Sequence, residues 1–288
     1  MKALCAELRD EYVELANLVE GMSAAEWRLT SKFYGWTPFD EISHLLFFDE
    51  RGLLAATDAD AFAADTAQIT KQLVKGREIS AIARDCYGTL DGAALASQWR
   101  NCFEKLIAIL ATLDPRARLP WYGPQMSARS FATARMMEVW AHGQDVYDVL
   151  GKQRTPTSRL KHIAHIGVTT FGWTFVNRKL PVPAVVPHVA LKGPDGSAWT
   201  WGEPSSTNFV SGDAEEFCLV VTQRRNVADT ALHFGGSAAQ WLPIAQCFAG
   251  PPADPPAPGG SARGAPGGSA RGAPGGSGRG AKGVRVVG

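Results

Sequence analysis

The sequence predicts an α+β protein in three parts: a bundle of four long helices over residues 1–152, a smaller α+β domain over 153–249, and a disordered tail over 250–288. Three observations carry this. Apolar residues recur at helical spacing through the first 150 positions, short alternating runs replace them beyond Pro187, and near-repeats of GGSARGAP fill the end of the chain.

Leu4, Leu8, Tyr12, Leu15 and Leu18 share one helical face, and Gly21 follows as a stop. A second helix starts at Thr37, a good N-cap, with Pro38 at the first helical position and Asp40 completing a capping-box-like start. Residues Ala61–Asp85 carry a weaker helical pattern. Ala93–Leu113 carry a stronger one, ended by Pro115 and Pro120, and Ser130–Leu150 are helical again up to Gly151. Another helix is expected over Ser158–Val176. The runs HVALKG and SAWTWG, joined by a GPDG turn, read as a hairpin. TNFVSG and ALHFGG are further strand-like runs, and helices over Asp213–Arg224 and Ser237–Phe248 complete the second domain. The tail has too little apolar content to form a core.

Composition narrows the function. Hydrophobic residues make up 45% and charged residues 20% of 288, ordinary for a globular protein. Net charge is only +1, and Arg263, Arg271, Arg279, Lys282 and Arg285 of the tail stand against one acid, Asp254, so the folded part is slightly acidic. It has no clustered basic face, which argues against nucleic-acid binding. No apolar run reaches membrane-spanning length and the N-terminus lacks a secretory core, so no membrane partner and a cytoplasmic location are expected. Cys5, Cys86, Cys102, Cys218 and Cys247 are scattered without a Cys-x-x-Cys pair and read as buried thiols of a reducing compartment. The globular part contains no Gly-x-Gly-x-x-Gly, Walker or Gly-x-Ser-x-Gly motif.

The chemistry concentrates on the fourth helix. Glu138 and His142 lie four residues apart on one face, and Arg135 and Asp145 continue the stripe between apolar flanks. Two readings stand. The stripe is either a buried ion-pair row, Arg135 with Glu138 and His142 with Asp145, or part of a metal site. His44, on an aromatic strip with Phe47 and Phe48 of the second helix, supports the latter. A His2Glu set of His44, Glu138 and His142 suits a single divalent metal, by preference zinc, with a fourth position open to water, thiolate or substrate. Asp145 is a candidate to orient an imidazole. His162 and His165, three apart, lack an acidic companion and are assigned to solvent or interdomain contacts. The nine tryptophans are assigned mainly to packing.

The segments WTPFDEISHLLFFDE and MMEVWAHGQDV, with the bundle that carries them, resemble the DinB-like superfamily and within it the mycothiol-dependent maleylpyruvate isomerase type. The resemblance implies that His44, Glu138 and His142 hold a divalent metal and that its open position takes the sulfur of a low-molecular-weight thiol, mycothiol. It implies a sterol-carrier-like second domain, matched by FVSGDAEEFCLVVTQRRNVADTALHFGG. It also implies an arginine near the active site, for which Arg224 is the better match, pairing with a substrate carboxylate; the alternative for Arg224 is an interdomain salt bridge to an acid such as Asp145 or Asp148. Here Gln223-Arg224 replaces the family's Gly-Arg. The partners implied are a small-molecule thiol and an electrophilic substrate, for isomerase or S-transferase chemistry. The Ala, Gly and Arg content agrees with an actinobacterial source. The alternative is a non-catalytic metal- or small-ligand-binding protein that has kept the site and lost the chemistry.

Overall fold

The computed structural model describes residues 1–259; the remainder of the expected tail, 260–288, lies outside the described residues. Four long helices form the first lobe: α1 (Lys2–Glu20), α2 (Pro38–Thr57), α5 (Gly92–Thr112) and α6 (Ala128–Val149). α1 and α2 each pack against both α5 and α6, closing a four-helix ring. The start of α2 matches its sequence signal. Thr37 accepts from the Asp40 amide and the Asp40 carboxylate accepts from the Thr37 amide, with Pro38 at the first turn. α6 begins two residues earlier than expected because Ser127 caps it. Gly52 lets α2 lie close to α6, since a Cβ there would come within 2.8 Å of Phe131 Cζ.

The weak pattern over 61–85 is two helices, α3 (Ala59–Val74) and α4 (Ile79–Tyr87), separated at Gly76, whose φ of 81° is left-handed. Between α5 and α6 a small ladder of β1 (Arg118–Leu119) and β2 (Met126–Ser127) pinches off a loop holding Trp121 and Tyr122, which periodicity did not indicate.

In the second lobe the helix expected over Ser158–Val176 is interrupted at Thr170, giving α7 (Leu160–Thr169) and α8 (Phe171–Asn177). The hairpin is present as antiparallel β3 (His188–Lys192) and β4 (Ala198–Trp201). β5 (Phe209–Asp213) runs parallel to β3, and β6 (His233–Phe234) antiparallel to β5, for a sheet order β4-β3-β5-β6. α9 (Ala214–Val221) ends earlier than expected, in a Schellman turn: the Arg224 amide bonds to Leu219 O and the Gln223 amide to Val220 O. This turn puts Gln223 at φ 60°, a left-handed position that suits glycine. The expected closing helix is only α10 (Ala238–Trp241) followed by one 3₁₀ turn.

Two hydrophobic clusters organise these elements. One fills the four-helix ring; the other lies between α7, α9 and the sheet and also takes Met137, Trp140 and Ala141 of α6. Four charges brace the lobes. The Arg154 and Arg159 guanidiniums each donate to both Glu11 and Glu14 of α1. Residues 250–259, expected to begin the disordered tail, are instead tied down among the described residues. Gln223 Nε2 donates to Ala245 O at 2.9 Å and Ala253 O at 2.6 Å, Asn226 Nδ2 to Pro256 O, and Arg178 to Asp254. A proline-rich segment with little apolar content is held largely through its backbone groups, which composition does not reveal.

Cys5, Cys102, Cys218 and Cys247 are buried free thiols as expected, whereas Cys86 is exposed. No helix among the described residues is long and apolar enough to cross a membrane.

Candidate metal centre

α2 and α6 bring His44, Glu138 and His142 together, one ligand atom of each within 4.8 Å of the others. His142 Nε2 lies 3.3 Å and His44 Nε2 3.9 Å from the same oxygen, Glu138 Oε2. The longer distance is beyond a hydrogen bond, so imidazole and carboxylate face one another across a gap. Ligands at about 2.0–2.2 Å around a tetrahedral zinc are themselves about 3.4 Å apart, so the spacing and the donor set both fit such an ion. Burial would raise the Glu138 carboxyl, but the two imidazoles outweigh it and hold the group well below the usual range. Burial, with the charge of His44, depresses His142 to about 3, leaving it neutral with a lone pair to offer.

The other ring nitrogen of His142 explains its orientation. Nδ1 shares a 2.6 Å hydrogen bond with Glu41 Oε2, from the first turn of α2. Glu41 is fully buried, and burial together with the Asp145 charge pushes its carboxyl well above the usual range. A carboxyl group bonded to the far nitrogen of a metal-binding imidazole fixes the orientation of its ring. Sequence reasoning assigned that role to Asp145 and missed Glu41. The ion-pair row drawn from spacing is likewise not formed. Arg135 pairs with Asp49 at 2.9 Å, where Tyr12 Oη and Trp99 Nε1 also donate, and Asp145 turns to Arg224.

A loop of aromatics roofs the site. Trp36 stacks on His142 at 5.9 Å and 13°, and Phe33 meets it edge-on. Between them Tyr34 and Gly35 have φ of 54° and 71°, a left-handed pair that reverses the chain tightly enough to bring both rings onto one imidazole. The triad opens into a cleft of about 1790 Å³ between the lobes, bordered also by residues 247–257.

Arg224 reaches this cleft, but its donors are engaged. Nε and Nη2 hold Asp145 Oδ2 at 3.0 and 2.7 Å, Nε also meets Ala141 O, and Nη1 donates to Thr222 O, while the guanidinium lies 4.2 Å over the Phe33 ring. Arg225 pairs with Asp148 on the outer side. The expected pairing of Arg224 with a substrate carboxylate thus meets a resident carboxylate. Of the other histidines, His162 Nε2 is 2.5 Å from Glu7, and His165 accepts from Trp201 Nε1 at 3.3 Å. His162 thus has the acidic companion, Glu7, that the sequence did not indicate, and neither histidine is in a group of three possible ligands among the described residues. Cys247 lines the cleft, but burial pushes its thiol far up and makes it a poor nucleophile.

Comparison with known proteins places this geometry in context. Residues 8–147 match the model of the mycothiol maleylpyruvate isomerase N-terminal domain. Uncharacterised proteins from two Mycobacterium tuberculosis strains are 40% identical over 258 residues, covering 86% of this chain and 95% of theirs. Crystal structures of the mycothiol-dependent maleylpyruvate isomerase and of a mutant of it share the fold, with TM-scores of 0.51 and 0.52 over 77% of this chain and 88% of theirs, at 18% and 15% identity. The chain belongs to the family defined by the mycothiol maleylpyruvate isomerase N-terminal domain, which it carries over residues 8–147.

Proposed function

We propose that the protein holds one divalent metal, by preference zinc, on His44, Glu138 and His142, and uses it to activate a low-molecular-weight thiol of the mycothiol kind for isomerase or S-transferase chemistry. The observation that carries this reading is the convergence of two imidazoles and one carboxylate, from two helices, on a gap of ion size at the floor of the cleft. When bound, such a metal lowers the pKa of a coordinating thiol and presents it as thiolate at neutral pH. The chain's own residues orient and shield. Glu41 fixes the His142 ring, Trp36 and Phe33 cover it, and residues of the second lobe line the cleft. The thiol is supplied from outside, since the nearby Cys247 is held in its protonated form by burial.

One observation favours the second reading, a non-catalytic binding protein: Asp145 already occupies the guanidinium proposed to hold a substrate anion. Elemental analysis and mass spectrometry test both. The first reading expects about one metal per chain and a thioether product or isomerised acid when metal-loaded protein meets mycothiol and an electrophile. Metal without any thiol adduct or turnover supports the second reading, and purified protein that takes up no divalent metal refutes the first.

A further inference from the structure

The cleft that opens above the triad has a chemical character of its own. From His44, a continuous path of rings leads away from the metal ligands. Phe48 lies 4.8 Å from the His44 ring, Tyr122 and Trp121 lie 5.7 and 6.2 Å from Phe48, and Trp121 stacks on Phe62 at 5.8 Å and 13°. Ile69 and Leu73 of α3 border the same space. Tyr122 keeps 37% and Leu73 43% of its surface exposed. Aromatic and aliphatic surface left open on the wall of a deep concavity marks ligand contact.

Beside the triad the cations that a small di-acid would need are already engaged; Arg118, Arg129 and Lys161 also border the cleft, Arg118 donating to Gln125 O. The two guanidinium groups flanking the triad, Arg135 and Arg224, are each held by a buried carboxylate, Asp49 and Asp145. An anion entering there would compete with a resident carboxylate that cannot leave, and it would be desolvated against aromatic rings. The cleft, at about 1790 Å³, is also larger than the few hundred to about 1,000 Å³ of ordinary small-molecule sites.

Resting on the thiol-activating reading above, we infer that the electrophile is an apolar, aryl- or alkyl-bearing α,β-unsaturated carbonyl compound, seated on the Phe48–Trp121–Tyr122 wall, and not a small dicarboxylate. In the transferase form of the reaction the thiolate sulfur gives its electron pair to the β-carbon. The double-bond pair moves through an enolate onto the carbonyl oxygen, and the α-carbon then takes a proton from solvent. Thiol and alkene become one thioether, with nothing oxidised or reduced.

Calorimetric titration of the metal-loaded full chain, without thiol, separates this inference from the thiol chemistry. The probes are 4-phenylbutan-2-one, a saturated aryl ketone that cannot be attacked, and the maleate dianion. The ketone is expected to bind about ten-fold tighter than maleate, and Tyr122→Ser and Phe48→Leu are each expected to weaken it roughly five-fold with unchanged circular dichroism. If the protein proved unable to bind metal or activate a thiol, the function reading would fall while this titration still read the wall. The inference is overturned by no saturable ketone binding, by maleate binding more tightly than the ketone, or by ketone affinity unchanged in both ring variants.

Discussion

Two clusters of charge lie between the same two helices, within about a turn of one another, and differ in one respect. Around Asp49, every partner is present: Arg135, Tyr12 and Trp99 all donate to its two oxygens, and both charged side chains are almost wholly buried. Around Glu138, the imidazoles stand at 3.3 and 3.9 Å, Glu138 keeps a quarter of its side chain exposed, and buried His44 Nδ1 and Glu41 Oε1 have no partner. A satisfied network specifies a core; an incompletely satisfied one at the floor of a cleft is stabilised by what binds there. The first cluster is closed on itself, and the second has the open geometry that the proposed metal would fill.

The largest expected effect tests the closed cluster. Asp49→Ala strands a buried guanidinium and two further donors, and should lower unfolding free energy by about 3–5 kcal/mol in denaturant titration. A loss under about 1 kcal/mol would mean that Arg135 readily finds another partner and that the contrast is weaker than drawn. In the open cluster the energy should instead reside in the ion. His44→Ala, Glu138→Ala and His142→Ala should each remove most of about one metal per chain. Chelation should destabilise the natural protein by about 2.7 kcal/mol when free metal had stood a hundred-fold above its dissociation constant, and should leave Glu138→Ala unmoved. Equal chelator sensitivity in that variant would relocate the metal. Glu41→Gln sharpens the comparison further: it keeps the volume, weakens the bond to His142, and should reduce metal affinity by about 10–100-fold in competition with a chromogenic chelator.

The smallest effects concern the segment over the cleft. Gln223→Gly relieves a left-handed backbone position worth up to about 1 kcal/mol. It also removes two bonds to Ala245 O and Ala253 O, together about 1–3 kcal/mol, so a net loss of about 1 kcal/mol is expected from thermal melts. Faster proteolysis within 250–257 should accompany it. A chain ending at Gly250 should melt lower than one ending at Gly259, for the same reason.

Much of the bundle and the Glu138–His142 pair was legible in the sequence because their signals are local, whereas His44 joined them through the bundle they share and the family resemblance. Thr37, Pro38 and Asp40 announce a helix start by their own chemistry, and Glu138 and His142 meet through helical geometry alone. Glu41 was not legible, since an acid in the first turn of a helix is already accounted for by the helix dipole. The Arg224–Asp145 pairing is one of two readings the sequence offers, an interdomain salt bridge to Asp145 or Asp148 against a substrate carboxylate, and since it spans 79 residues no local pattern chooses between them. The Gln223 position shows a third kind of gap. The sequence displays the departure from Gly-Arg, while only the turn at the end of α9 shows why glycine suits the place and what the glutamine amide does instead.

The placement of α6 bears on how this chain can be divided or recombined. Val139 and Val146 belong to the core of the first lobe, while Met137, Trp140 and Ala141, on the same helix, belong to the core of the second. A cut near residue 152 separates the direction of the chain but not its interiors. A fragment ending there would present an indole and its neighbours to water along the helix that carries Glu138 and His142, and would be prone to associate through them. Exchange of second lobes between relatives is therefore constrained by one face of a helix that lies before the junction, and a workable chimera carries positions 137, 140 and 141 with the incoming lobe.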